Sequence, residues 1–137
     1  MSIEAIFGIA NSALTAQSQR ITLIAQNLAN ADSVQSPEGG PYQRRVPIFE
    51  AAPTEGSDGS SAMGVRIASV QRDPSPPRAV YDPSNPYANA DGIVQEPAVN
   101  PVGEVVDMMQ AARSYQANLS IVETARTAAL KTIDLLK

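Results

Sequence analysis

The chain has 137 residues with 14 acidic and 10 basic side chains, and it contains neither cysteine nor histidine. Its length predicts one folding unit. Its net charge of −4 argues against a nucleic-acid partner, because no basic patch is available to neutralise phosphates. The missing residue types exclude disulfides, thiolate metal sites, and the commonest general base and metal ligand, so we expect no metal and no cofactor. Aromatic residues make up only 4%, which favours close helix–helix contacts over a thick core.

The sequence also bears on membrane insertion and secretion. No apolar run approaches the roughly 20 residues that a membrane-spanning helix needs. The first charged residue is Glu4, so the basic start of a cleavable signal peptide is missing. If the protein leaves the cytoplasm, we expect it to do so without a conventional cleaved signal.

Proline divides the chain into three parts. All 11 prolines lie between residues 37 and 101, and proline breaks helix interiors at a cost of about 3 kcal/mol. The proline-free flanks are therefore predicted to be long helices, at residues 1–30 and 102–137. We expect these helices to form an inner domain and residues 31–101 to form an outer domain of loops and strands.

The predicted first helix has an apolar stripe and almost no charge. The stripe follows the 3–4 spacing of a heptad seam, with one polar member. Only Glu4 and Arg20 are charged in this segment, whereas a solvated helix normally carries several charges on its outer face. We therefore expect a second packing surface that is polar but uncharged. The stripe consists of Phe7, Ala10, Leu14, Gln17, Ile21, Ile24 and Leu28.

The stripe runs into the stretch IAQNLANAD at residues 24–32. Asn30 and Asp32 can end the helix and begin a turn, because both residue types bond to nearby backbone groups and tolerate left-handed backbone geometry. This interpretation explains why the helix stops. It does not explain why the outer surface of the helix is so poor in charge.

The proline-containing middle is predicted to hold a small antiparallel sheet of three or four strands. Alternating patterns at residues 41–50, 63–73 and 78–82 are typical of strands. Residues 73–78 would form the turn between the second and third strands, and Pro47 would restrict the first to a sheet edge. The Gly/Ser/Asp-rich tract at residues 54–64 is predicted to be a mobile surface loop.

The predicted last helix repeats the 3–4 spacing, with Arg126 as the lone charge on the stripe. Its obvious partner is the first helix, which predicts a mainly α fold with a small β part and an antiparallel-type coiled coil. An intramolecular helical hairpin that stabilises a small domain explains the patterns equally well. The stripe consists of Val105, Met108, Ala112, Tyr115, Leu119, Val122, Arg126, Ala129, Ile133 and Leu136.

A catalytic site is difficult to assemble from this sequence, because a nucleophile would need Asp or Glu as its base. Glu104 and Asp107 lie one turn apart near the start of the last helix. Their simpler role is to complement the positive end of the helix dipole. We therefore expect no enzyme activity, with a carboxylate-type hydrolase as the weak alternative.

One turn-rich segment has part of a metal-binding pattern. Residues 87–98 resemble a calcium loop at Asn89, Asp91 and Gly92, but Ala98 replaces the bidentate glutamate at position twelve. A turn-rich segment is the better interpretation.

Arg44 and Arg45 are the only adjacent basic residues in the chain. They could meet a carboxylate on another subunit. Charge on a solvated strand edge, which prevents aggregation, explains them equally well.

Both ends of the chain resemble one protein family. Residues 11–33 resemble the amino-terminal signature of bacterial flagellar axial proteins, the rod, hook and hook-associated subunits, and residues 99–136 resemble the matching carboxy-terminal signature. Two signatures in one chain are far more specific than either alone. The polar positions of these signatures are Asn27, Asn30, Asn100, Arg113 and Asn118.

The middle segment narrows the resemblance to the proximal rod subunits, through residues 39–51 and 81–100. The chain departs from the family pattern at Val105, Ile93 and Gly103. The glycine is expected to weaken the first turn of the last helix. These departures affect details of the interfaces rather than the resemblance itself.

The resemblance implies a structural subunit of the flagellar basal-body rod. Such subunits pair their terminal helices and assemble helically into a drive shaft around an export channel. It further implies export through the flagellar type III apparatus without signal cleavage, and a final location in the periplasm-spanning rod. The implied partners are further copies of the chain, other rod proteins and the export apparatus, with no nucleic acid, small-molecule substrate or membrane insertion. A soluble helical-hairpin adaptor and a hook or distal rod subunit are the alternatives.

Overall fold

The computed structural model describes residues 3–55 and 61–135 of the chain. Both predicted terminal helices are confirmed, as is the small β part between them. Within the described residues, neither helix is long and apolar enough to cross a membrane. In chain order the elements are α1 (Ile3–Ala29), β1 (Arg45–Glu55), β2 (Ser61–Arg72), β3 (Arg78–Tyr81), β4 (Ile93–Glu96) and α2 (Pro101–Leu135).

Asparagine side chains mark the facing ends of the two helices. At the end of α1, the Asn30 amide nitrogen donates to the Gln26 carbonyl at 2.8 Å. At the start of α2, Asn100 Oδ1 accepts the backbone N–H groups of Val102 and Gly103 at 3.1 and 3.3 Å. This is the N-cap arrangement that satisfies otherwise unpaired helix donors. Pro101 follows at the first helical position, where its missing N–H costs nothing.

The prediction of a single three- or four-stranded sheet is wrong, because the strands form two separate pairs. β1 and β2 form an antiparallel hairpin in which Arg45 faces Arg72, and β3 pairs with the unpredicted strand β4. Residues 73–77 do not fold β3 back onto β2. Three of these five residues are prolines, which lack N–H groups and keep the backbone extended.

The predicted surface loop at residues 54–64 is shorter than expected. Residues 54 and 55 belong to β1, and residues 61–64 belong to β2. Residues 56–60, on which the remainder of that prediction falls, lie outside the described part of the chain. Both strands of the hairpin therefore extend into the tract that was predicted to be a loop, despite its Gly- and Ser-rich composition.

The two helices pack against each other in antiparallel directions. The end of α1 meets the start of α2, where Asn27 bonds to Glu104 and Arg20 lies 3.8 Å from Asp107. With 27 residues in α1 and 35 in α2, the helices are about 40 and 52 Å long. From this register, α2 continues about seven residues, or about 10 Å, past the point that faces Ile3.

The β1–β2 hairpin packs along a second side of α1. Its far end approaches the helix through small residues, since Gly64 lies directly against Ser12, and a Cβ on Gly8 would touch Thr54. The Val65 N–H donates to Ser12 Oγ at 3.1 Å. α1 is therefore covered by α2 on one side and by the hairpin on another. This double cover within the chain accounts for part of the missing charge on α1.

The buried core is small and consists mostly of alanine. Among the described residues other than proline and glycine, nine apolar ones are buried, and six of these are alanines. The chain exposes 8981 Å² of surface, whereas a compact monomer of 14.4 kDa exposes about 6,800 Å². Small side chains allow the backbones to approach closely, but they bury little apolar area. The isolated chain is thus an elongated body with a thin core.

The close approach of the hairpin to α1 predicts opposite effects for two glycine substitutions. In Gly64→Ala, the new Cβ would lie 2.6 Å from Thr54 Cγ2 and closer still to Ser12 Oγ. We expect a loss of about 1–3 kcal/mol in the free energy of unfolding, because α1 or β2 must shift.

The control is Gly103→Ala, whose Cβ would meet Asn100 at an ordinary 3.6 Å. It should gain about 0.5–1 kcal/mol by removing a glycine from a helix. Urea unfolding followed by circular dichroism measures both, and equal stabilities for the two variants would contradict the close packing.

Candidate assembly interface

A buried polar cluster lies where α1 ends, β1 begins and α2 starts. We call it the junction network. Asn27 and Glu104 are its centre, and each is only 1% exposed. Polar groups this deeply buried cost free energy unless they are hydrogen-bonded, so the partners of each atom decide whether the cluster stabilises the fold. The network consists of Asn27, Tyr42, Arg44, Glu104 and Asp107.

The Asn27 side chain bonds to all three elements of the junction. Its amide nitrogen donates to the Arg45 carbonyl at 2.9 Å and to Glu104 Oε2 at 3.1 Å. Its carbonyl oxygen accepts the Arg45 N–H at 2.8 Å and the Tyr42 hydroxyl at 2.9 Å. All four bonds that an asparagine side chain can form are made. Asn27 thus binds both backbone groups of Arg45, as a neighbouring strand would, and fixes the first residue of β1 against α1.

Arg44 lies among three carboxylates of its own chain. Its Nε bonds to Glu104, its Nη2 bonds to Asp107 at 3.2 Å, and its Nη1 lies 3.8 Å from Asp73. Within its own chain, Arg44 thus meets carboxylates rather than a solvated strand edge, and a contact with another subunit stays a prediction. The dipole interpretation of Glu104 and Asp107 is incomplete for the same reason. The sequence did not reveal the contacts with Glu104 and Asp107, because these residues are 60 and 63 positions away from Arg44.

Arg45 occupies a more open environment than Arg44. Its guanidinium lies 3.9 Å from Glu38, which also pairs with Arg72. These side chains line an open cleft of about 520 Å³ beside the end of α1. Glu38 is the only carboxylate among the cleft residues, and two arginines pair with it. The cleft therefore lacks the carboxylate pair that the hydrolase alternative requires.

Tyr42 was missed by the sequence analysis, and its hydroxyl completes the junction network. Burial raises the pKa of Tyr42 above its ordinary value of 10.0, and the negative charge of Glu104 adds to this, while Arg45 opposes it. The folded protein therefore holds the phenolic proton at a pH at which the unfolded chain releases it. The protonated Tyr42 hydroxyl makes its full contribution to the free energy of unfolding below pH 10.0. This contribution is lost as the pH rises through the pKa of Tyr42 in the folded protein.

Tyr42→Phe tests this contribution. At neutral pH we expect it to lower the free energy of unfolding by about 1 kcal/mol, because one hydrogen bond to Asn27 is lost. Above pH 10.0 the native chain should lose the contribution of this hydroxyl, which the variant does not have, so the difference between them should shrink. Chemical unfolding at neutral and alkaline pH measures both quantities. A difference that stays constant with pH would contradict the role of the hydroxyl.

The predicted stripe of α1 lies on its covered sides. Ile24 is buried, and the stripe residue Ala10 is buried as well. Gln17 lies midway between them, and its Oε1 is buried without a hydrogen-bond partner among the described residues. A buried polar atom without a hydrogen-bond partner lowers the free energy of unfolding, and a polar residue within an apolar stripe favours one register between the helices. The half-buried stripe residues are Phe7, Leu14, Gln17, Ile21 and Leu28.

On α2, the intrachain contact follows a line slightly displaced from the predicted stripe. The fully buried positions are Glu104, Ala111 and Ala125, which are whole heptads apart. Leu119 and Ile133 are 41% and 55% exposed, and they lie away from this line. Leu136 lies outside the described residues. The half-buried stripe residues are Met108, Ala112, Tyr115, Val122 and Ala129, and Val105 and Arg126 are exposed.

The signature asparagines all form hydrogen bonds within the chain, whereas Arg113 is exposed. Asn27 binds β1 and α2, Asn30 bonds locally at the end of α1, and Asn100 caps α2. Asn118 donates to the Ser114 carbonyl one turn earlier in α2, at 2.9 Å. These residues therefore shape the helices and the junction between them.

Both helices keep long surfaces that the chain itself does not cover. The exposed positions of α1 beyond residue 10 form one stripe without a charged side chain, and α2 has only three buried residues among those described. Exposed apolar surface on the scale seen along α2 marks contacts with other molecules. The α1 stripe consists of Asn11, Thr15, Ser18, Gln19, Thr22, Ala25, Gln26 and Ala29.

The fold, the alanine core and the uncovered helix faces together define an elongated structural protein built on paired terminal helices. A model of the family described as flagellar basal body rod FlgEFG protein C-terminal matches residues 90–135. The chain also matches flagellar basal-body rod proteins FlgC along nearly its whole length. The chain belongs to the flagellar basal-body rod protein family.

The relatives come from several bacteria. The FlgC proteins of Escherichia coli O157:H7 and Yersinia enterocolitica are 47% and 46% identical to the chain, and each match covers 98% of both sequences. The FlgC protein of Borreliella burgdorferi is 35% identical, over 93% of both. The resemblance derived from the two terminal signatures and the middle segment is thereby confirmed. The family is one of structural flagellar rod proteins.

Proposed function

We propose that the chain is a structural subunit of the flagellar basal-body rod. In this role its copies assemble helically into the drive shaft that transmits torque and encloses the export channel. Two findings support this proposal: relatives that match the whole chain are rod proteins, and both helices carry long uncovered surfaces. The single observation that carries it is the 47% identity to a rod protein over 98% of both chains.

The uncovered surfaces explain why the subunit would need neighbours. Val102, Val106, Met109 and Ile121 of α2 are largely exposed, and the exposed stripe of α1 is mostly polar and uncharged. Uncharged polar groups can be buried between helices when they are hydrogen-bonded, at far lower cost than charges. Packing between sister subunits would cover the apolar residues of α2 and the neutral stripe of α1 together.

Within the assembly, α1 and α2 would pair as an antiparallel coiled coil. The whole-heptad spacing of the buried positions on α2 supports this geometry. The helices at residues 1–30 and 102–137 would form the inner layer, and residues 31–101 the outer one, with the hairpin against α1. The residues predicted to pack helices and subunits, including Leu119 and Ile133, keep this role as part of the proposal.

The proposed partners are further copies of this chain, other rod proteins and the type III export apparatus, and the proposed location is the basal-body rod across the periplasm. A soluble helical-hairpin adaptor would bury its own helices, and the uncovered apolar face of α2 does not favour it. The hydrolase alternative finds no carboxylate pair in the cleft beside α1. Hook and distal rod subunits belong to the same broad class, but the whole-length matches are to FlgC proteins.

Leu119→Asp tests the function without destroying the isolated fold. Leu119 is 41% exposed, so its replacement should change the free energy of unfolding by no more than about 1 kcal/mol. In an assembled rod the same position would be covered, and a buried unpaired carboxylate costs several kcal/mol. We expect cells that carry only this variant to lose swimming and intact rods, which motility agar and electron microscopy of basal bodies measure.

The matched control is Ala90→Asp, which places the same side chain on an exposed turn that belongs to neither helix. It should leave swimming unchanged. Full motility with Leu119→Asp, at normal levels of the protein, would argue against a rod in which α2 is covered by neighbours.

A further inference from the structure

The open cleft beside the end of α1 is positively charged, whereas the segment around it is negative. Residues 31–101 hold nine acids and five bases, for a net charge of −4. The charged residues that line the cleft are Arg45, Arg72 and Glu38, for a net charge of +1. The cleft is therefore a positive site on an otherwise acidic segment, and its field attracts an anionic group.

The two arginines of the cleft face each other across the hairpin. Arg45 and Arg72 are direct partners in the register of β1 and β2, and like charges at directly opposite positions destabilise an antiparallel pair. Glu38 pairs with Arg72, but the Arg45 guanidinium lies 3.9 Å from Glu38, which is too far for a hydrogen bond. One carboxylate thus offsets two guanidinium groups, and the fold of the isolated chain does not explain why both arginines are there.

The cleft has room for a second carboxylate. The side chains of Arg45, Arg72 and Glu38 are 42%, 55% and 52% exposed, so another molecule can reach them without opening the fold. Arginine binds carboxylates through charge-assisted hydrogen bonds from its planar fork. Much of the remaining lining consists of amide and hydroxyl side chains, which suit the polar backbone on either side of an acidic residue. These belong to Gln26, Asn30, Ser33, Gln35, Ser36 and Gln43.

A second copy of the chain can supply the acidic residue. We call residues 82–92, which join β3 to β4, the β3–β4 turn. Asp82 and Asp91 in this turn form no ion pair within the described part of the chain. The turn is ordered by Asn89, whose Oδ1 accepts the N–H groups of Asp91 and Ile93 at 3.0 and 2.9 Å. Each copy thus carries a positive cleft and acids on an ordered turn, and such complementarity steers association and fixes its register.

We propose that the cleft of one copy binds a carboxylate of the β3–β4 turn of a neighbouring copy, Asp82 or Asp91, between Arg45 and Arg72. This contact rests on the proposed function, which brings copies together, and it names a site outside the terminal helices at which they meet. The incoming carboxylate neutralises the second guanidinium, so it relieves the repulsion across the hairpin. Ala90→Asp keeps both acids of the turn and adds a third, which agrees with the normal swimming expected of that variant.

Zero-length cross-linking tests the contact, because a carbodiimide joins a lysine amine only to a carboxylate that touches it. The variant carries Arg72→Lys, which places an amine in the cleft, and Glu38→Gln, which removes the carboxylate of the same chain. It is expressed as the full chain in flagellated cells that lack their own copy, and purified basal bodies are treated with the carbodiimide. We expect a product at twice 14.4 kDa, in which mass spectrometry finds position 72 joined to Asp82 or Asp91.

The matched control carries Arg66→Lys and Glu50→Gln, since Arg66 and Glu50 form an exposed ion pair elsewhere on the same hairpin. It should give no link from position 66 to another chain. Mass spectrometry of the unaltered chain shows the products of its own lysines, Lys131 and Lys137.

Arg45→Lys with Glu38→Gln samples the same cleft if the first variant is not incorporated into rods. Rods that contain the variants but yield no link from the cleft would overturn the contact and leave the proposed function intact. Links to a different rod protein, or to carboxylates of cell-wall peptides, would overturn the second copy as the occupant. Absence of the unaltered chain from basal bodies would overturn the proposed function itself.

Discussion

Arg44→Met should lower the free energy of unfolding by about 3 kcal/mol. The side chain keeps its apolar stem but loses its charge, which leaves the Glu104 carboxylate buried with Asn27 as its remaining partner. Breaking a buried pair by removing one member is costly, because the other charge stays out of water uncompensated. For a chain with a thin core, this is a large part of the total stability. Urea unfolding of the full-length chain, followed by helix circular dichroism, measures the loss.

The neighbouring arginine supplies the control. Arg45 is 42% exposed at its side chain and lies 3.9 Å from Glu38, so Arg45→Met should cost less than about 1 kcal/mol. Combining Arg44→Met with Glu104→Gln removes the buried charge and should recover part of the loss, with a coupling energy of about 1–3 kcal/mol. Similar costs for the two arginine variants would contradict the buried ion pair.

Asn27→Ala should have a comparable effect, about 3–4 kcal/mol, through hydrogen bonds rather than charge. The substitution removes four hydrogen bonds at once and leaves Arg45 backbone groups, the Tyr42 hydroxyl and Glu104 Oε2 without this partner. Each buried polar group that loses its partner costs about 1–3 kcal/mol, which water entry relieves in part. We also expect β1 to lose its fixed position against α1, which faster amide hydrogen exchange at Arg45 would report.

Asn30→Ala is the matched control three residues further along the chain. Its side chain bonds only locally, to Gln26 and Ser33. The loss should stay below about 1 kcal/mol, as for an ordinary exposed helix end. If Asn27→Ala were no worse than Asn30→Ala, the junction network would not be what holds the three elements together.

The sequence located the helices because their signals are local. Proline is confined to the middle of the chain, and 3–4 spacing persists along both flanks, so element type could be assigned without knowledge of any partner. It also placed a strand in each arm of the hairpin. It failed on the sheet topology, because the pairing of β3 with β4 depends on contacts between segments that no local pattern connects.

The line of intrachain contact on α2 depends on side-chain size as well as on hydrophobicity. The 3–4 spacing in the sequence predicted a packing stripe that includes Leu119 and Ile133. The fully buried positions are Ala111 and Ala125, together with a glutamate. Small side chains occupy the contact line between α1 and α2 because they let the two helices approach closely. At this short distance the larger side chains lie beside the contact line rather than on it. Hydrophobicity alone does not contain that information.

The sequence by itself determined the three-part organisation, the two long helices, the lack of charge on α1 and the family. Local backbone preferences and composition are enough to determine the organisation, the helices and the lack of charge. The signatures at both ends of the chain are enough to indicate the family. Only the tertiary structure decided that Asn27, Tyr42, Arg44 and Glu104 meet in one buried network, and that the hairpin covers α1 while α2 keeps exposed apolar residues. Burial, hydrogen-bond geometry and length matching are properties of elements placed in space, and residues more than 60 positions apart acquire them only when the chain has folded.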